Sequence, residues 1–153
     1  MTGFVFPLVL LANGLASGVL IWGLLGGWPL MRSLSNERYV QLHAFFATRY
    51  DPFMPACMLV TIAGDALLGW RLPGGASVVL VVAAAALTGC GIVVSLVKNV
   101  PVNKWVLSLD PENLPADFPE RDPRMGWGWW NRQRSLLVIA AFLANCVALG
   151  LVL

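Results

Sequence analysis

The sequence predicts an all-α integral membrane protein: a four-helix bundle with an amphipathic connection on its inner side and a long polar loop between spans three and four. Three observations predict it. Of 153 residues, 58% are hydrophobic and only 12% charged, too few polar groups to coat a soluble domain. Three apolar runs, Phe4 to Gly27, Gly75 to Val97 and Ser135 to Leu153, approach or reach the ~20 helical residues that a hydrocarbon core of ~30 Å requires. A fourth, Phe53 to Trp70, is interrupted only by Asp65. One transmembrane domain is therefore expected over residues 1–153, with spans at about 4–27, 52–70, 75–97 and 135–153. The lipid bilayer is its expected partner, nucleic acid is not, and homo-oligomerisation is left open.

The first run has no basic residue ahead of it and no small-x-small cleavage site behind it, so it reads as a retained span rather than a secretory signal. Gly14 and Gly18 form a GxxxG pair within it, and Ala85 and Gly89 a similar small pair in span three, both suited to close helix packing. After Trp28-Pro29, Ser35 or Asn36 can cap a helix over "ERYVQLHAFFATRY", in which Tyr39, His43, Phe46 and Tyr50 share one face. Asp51-Pro52 then reads as a cap with proline at the first helical position, restarting the chain as span two, or as a kink in one continuous helix. Segment 106–126 carries four prolines and most of the acidic residues, and is expected as a loop. A loop of that length is usually functional or disordered.

Charge distribution gives an orientation. Nine of the ten basic residues fall at or between the ends of spans one and two or of spans three and four, and only Arg71 lies between spans two and three. By the positive-inside rule both termini then face outward, and connections 28–51 and 98–134 are cytoplasmic. Cys57, Cys90 and Cys146 fall one to a span, too scattered for a disulfide framework or a metal site.

His43 is the only histidine, which excludes a bis-histidine haem or a histidine-rich metal site within one chain. Two roles suit it: an interfacial residue satisfied by backbone or lipid, or a base that titrates near neutral pH beside aromatic walls. Tryptophans 127, 129 and 130 with Arg132 and Arg134 have the composition of an ordinary interfacial belt. Asn99, Asn103 and Asn131 do not, because carboxamides are costly to bury without partners. Pro101 between the first two is expected to turn the chain where span three ends, setting Asn103 opposite Asn131 and Arg134. A second polar layer, Asn13, Asp65 and Asn145, lies ~9 to 14 Å from the outer ends, where Asp65 either ties helices together or serves a carrier.

An aromatic-rich segment with a lone histidine, then "NVPVN" after span three, then Trp127-x3-Asn131-x2-Arg134-Ser135 at the entry to span four, resembles the anthrone-oxygenase-like family of small four-span membrane proteins. That resemblance implies oxidation of the central methylene carbon of an anthrone, an aromatic polyketide, to the quinone with dioxygen as co-substrate. It implies neither metal nor flavin. An anthrone's anion is a delocalised phenolate that can itself react with dioxygen, so a base, oxyanion donors and a dry aromatic slot would suffice. On this reading His43 is the candidate base, Asn103 and Arg134 are further catalytic candidates, and Tyr39, Asn99, Trp127, Trp130 and Asn131 are candidates to bind the hydrophobic aromatic substrate. The alternatives are a non-catalytic membrane scaffold and a small-molecule carrier centred on Asp65.

Overall fold

The computed structural model describes residues 2–50 and 52–153, and among them four helical stretches are long and apolar enough to cross a membrane. The chain is a multi-pass integral membrane protein with an all-α fold. Stretch one comprises α1 (Thr2–Trp22), a π-helical turn (Gly23–Gly27) and α2 (Trp28–Ser33). Leu34 is extended, which ends α2 before α3 (Asn36–Tyr50) lays the predicted amphipathic face inward. Helix α4 (Phe53–Arg71) follows; the proposed Asp51 cap lies outside the described residues. The third stretch is α5 (Ala76–Val94), a second π turn (Ser95–Asn99) and α6 (Val100–Leu107). A short α7 (Phe118–Arg121) interrupts the polar loop, and α8 (Arg124–Gly150) completes the bundle.

Each long helix packs on its chain neighbours, and α1 closes the ring against α8. Lipid supplies no hydrophobic drive between helices, so close approach matters most. Gly91 supplies it, since a Cβ there would lie 2.9 Å from Val138 Cγ2, and Gly64 does the same against Val9. Of the glycines in the small pairs expected from sequence, Gly14 faces the Phe142 ring of α8, whereas a Cβ at Gly18 or Gly89 would meet nothing within 4 Å. The interior then fills in tiers. Phe6, Val9, Leu68, Val81 and Ala148 pack at the end bearing the termini, Ala12, Ala16, Leu20, Met58 and Val138 at mid-height, and Met31, Tyr39, Val40, Val106 and Phe118 at the opposite end.

Two expectations are corrected here. Pro101 does not end the third helix: the preceding π turn places it in the first turn of α6, where its missing N–H leaves no gap, and helix continues to Leu107. The fourth helix likewise begins at Arg124, eleven residues ahead of Ser135, so Trp127, Asn131 and Arg134 project from a regular helix face rather than from a loop. Once backbone hydrogen bonding is established within an apolar span, it extends into polar sequence that is covered by protein.

Membrane orientation is open to a direct measurement. A reporter fused after Leu153 is expected to be exported, and one inserted near Pro115 to remain cytoplasmic. The reverse pattern would put the polar loop and the site it covers in the other leaflet.

Candidate active site

At the loop-bearing end all four stretches surround a cavity of about 220 Å³. Both π turns contribute to its wall, Gly23 and Gly27 from the first, Ser95 and Leu96 from the second. Such turns recur at functional sites because the wider turn frees backbone and redirects side chains. Most of the wall is apolar, with Leu20, Met54, Met58 and Ile92 toward mid-height and Phe46 and Tyr50 stacked 5.9 Å apart on α3.

Against that wall stand five polar or aromatic residues singled out from the sequence: His43, Asn103, Trp127, Asn131 and Arg134. His43 Nε2 lies 3.0 Å from Asn103 Oδ1, and Trp127 Nε1 donates to the same oxygen at 2.9 Å. An indole N–H can only donate, which fixes that Asn103 atom as the amide oxygen. An amide oxygen can only accept, so His43 carries its proton on Nε2. The lone pair of neutral His43 therefore resides on Nδ1, a buried atom without a hydrogen-bond partner among the described residues. Ring packing holds the imidazole in place, Trp127 edge-on at 4.9 Å and Tyr39 at 5.3 Å.

A second group faces this triad. Arg134 Nε donates to Asn131 Oδ1 at 3.0 Å and Nη1 donates to Ser95 Oγ at 3.2 Å, while the Ser95 hydroxyl donates to Gly91 O at 2.8 Å. Because Asn131 accepts from the guanidinium through Oδ1, its Nδ2 is oriented as a donor. That nitrogen lies beside Gly23 of the first π turn, 3.6 Å from where a Cβ would stand. Asn103 thus bonds to His43 and Trp127 rather than facing Asn131 and Arg134 in a direct pair.

The other expected site residues lie outside the wall. Tyr39 is fully buried behind His43, with the Arg124 guanidinium 4.8 Å from its ring centroid. Asn99 is also fully buried, and its Nδ2 donates to Trp127 O at 3.3 Å, tying the third stretch to α8. Trp130 turns away, edge-on to Trp129 at 4.5 Å and beneath Lys98 Nζ at 4.9 Å. Its position one residue before Asn131 on a continuous helix puts it about 100° from the cavity-facing direction. Ser95, Trp22 and the two π-turn glycines were not anticipated; only the dense "GLLGGW" stretch marked one of the two turns.

Asp65 occupies a separate place, at 0% exposure and outside the cavity wall, where Asn145 Nδ2 donates to its Oδ2 at 3.3 Å. Asn13 bonds across to the α8 backbone instead, its amide spanning Val138 O and the Phe142 N–H. This layer ties helices together away from the cavity.

A family model described as anthrone oxygenase matches residues 42–144, two thirds of the chain and every polar residue of the cavity wall. The chain belongs to the anthrone oxygenase family. No curated protein and no solved structure matches it. The anthrone oxygenase match begins one residue before His43 and ends past Phe142, so α1, which supplies Trp22 and borders the first π turn, lies outside it.

Proposed function

We propose that the protein is a membrane-embedded oxygenase that deprotonates an aromatic, enolisable, anthrone-like substrate and passes the anion to dioxygen, without a bound cofactor. The observation that carries the reading is the fixed tautomer of His43, a residue of the cavity wall whose Nδ1 holds the lone pair and has no hydrogen-bond partner among the described residues. Membership of the anthrone oxygenase family supports the reaction class.

In this mechanism Nδ1 removes one proton from the methylene carbon, and the negative charge delocalises onto the ring-conjugated carbonyl oxygen. Asn131 Nδ2 and the Arg134 guanidinium stabilise that oxyanion, donors held in advance by their bonds to each other and to Ser95. Dioxygen takes electrons from the anion and bonds to the same carbon, giving a hydroperoxide once protonated. Loss of the second carbon-bound proton with cleavage of the O–O bond forms the new carbonyl and releases water. One methylene and one dioxygen thus give one carbonyl and one water. Phe46, Tyr50 and Trp127 provide flat faces for the rings, and the apolar wall keeps bulk water from the anion.

The test is oxygen uptake with an anthrone by protein in nanodiscs, in which saturable consumption above the spontaneous oxidation is expected, one dioxygen per quinone formed. Rates equal to the spontaneous reaction across several anthrones and related phenols would reduce the cluster to an interfacial belt.

A further inference from the structure

An apolar substrate needs a route into this chamber, and most directions are closed. At the loop end Met31, Tyr39, Val106 and Phe118 are each at most 4% exposed. The Arg124 guanidinium straps the loop across them, binding Asp122, Asn36 and, at 2.7 Å, Leu34 O. Toward mid-height Ala16, Leu20 and Val138 pack without exposure above 2%. Between stretches one and two Trp22, although 41% exposed, plugs the wall as a bulky indole lying across Gly27 and against Phe46 and Tyr50, at 4.8 and 5.9 Å. The side between stretches two and three differs. Its wall is aliphatic, and Pro55 and Leu96 both line the cavity and both face outward, Leu96 with 60% exposure. Leu96 belongs to the second π turn, and Pro55 to the first turn of α4, just beyond the α3–α4 junction.

We infer that the cavity is loaded sideways from the bilayer, through the gap between Pro55 and Leu96, by planar aromatic molecules dissolved in the hydrocarbon. The inference rests on the cavity being the substrate site. It makes partition into lipid the first step of recognition: a substrate is selected for hydrophobicity before it meets His43, and aqueous concentration matters only through that partition.

Anthracene, three fused rings with no methylene to deprotonate, is a suitable probe in nanodiscs, with saturable energy transfer from the protein's tryptophans as the readout. Leu96→Trp should slow probe association roughly tenfold, on the scale by which restricted access lowers association rates. Leu96→Ala should accelerate it, a sign that guards against a tryptophan that merely fills the chamber. Leu143→Trp, at a position 59% exposed on α8, should leave the rate unchanged. In the wild type the rate should follow the probe's mole fraction in lipid when lipid is varied at constant probe. Saturable binding at unaltered rates in both Leu96 variants would overturn the lateral route and leave the site intact. Absence of saturable binding in the wild type would remove the site and the route together.

Discussion

Replacing His43 with alanine is expected to lower turnover of an anthrone at neutral pH by roughly two to four orders of magnitude, the usual contribution of a positioned general base. The base acts in its neutral form, so the wild-type rate should rise as pH passes the imidazole pKa, ordinarily ~6.5. His43→Ala should lack that rise and recover part of the rate at high pH, where the substrate ionises unaided. Asn103→Ala tests a finer point. It removes the acceptor that keeps the proton on Nε2, and with it the bond that aligns Trp127, so the imidazole is free to place its proton on the reacting nitrogen. A loss of up to about four orders is expected there, the scale of a base left in the wrong tautomer, and of roughly one to three orders for Arg134→Ala, on the scale of removed oxyanion donors. Asp65→Asn should change little, since Asp65 contacts Asn145 and not the cavity. A His43→Ala enzyme with the wild-type pH profile would exclude His43 as the base.

Gly128→Ala should have the largest effect on folding at the loop-bearing end. Gly128 faces the Trp28 indole so closely that a Cβ would overlap Nε1 and Cε2, and Trp28 Nε1 donates to Arg124 O at 3.1 Å. A methyl group must push the indole aside, at a cost of about 1–3 kcal/mol for overpacking, with about 0.5–1.5 kcal/mol more for the lost hydrogen bond. Thermal unfolding in nanodiscs should show a lowered midpoint, partly restored by Trp28→Leu in the same chain. An unchanged midpoint would mean that Trp28 does not hold stretch one to α8.

The spans were legible because hydropathy reports directly on burial in lipid. Their ends were less so. Residues 124–134 are too polar to announce a span, yet they are helical because α8 continues into a region covered by α2, α6 and the loop. His43, Asn103, Trp127, Asn131 and Arg134 could be picked out because each is a polar or amphipathic side chain at the edge of an apolar run. Their pairing could not, since it depends on how far each helix extends. Asn103 was expected on a turned loop facing Arg134; on α6 it meets His43 instead. Trp130 shows the same limit. Three tryptophans within four residues look alike in sequence, and only the helix phase sends Trp127 into the cavity and Trp130 toward Lys98. Arg124 and Phe118, which close the loop-bearing end, sit in a segment whose prolines predicted irregularity but no partner.

The π turn at Ser95–Asn99 acts on the third helix as a frameshift acts on a message. Along α5 the buried positions are Ser77, Val81, Ala84, Thr88 and Gly91, alternating steps of four and three. Continued without interruption, that rhythm would bring Lys98 and Val102 inward. The extra residue of the wide turn advances the frame by one, about 100° of rotation, and the buried positions become Asn99, Asn103 and Val106. The same chain wound as unbroken α-helix through this turn could keep every apolar position of α5 in register and still form the bundle. It would present an ammonium group and an isopropyl group where the two carboxamides now stand, leaving His43 with no oxygen to hold its proton.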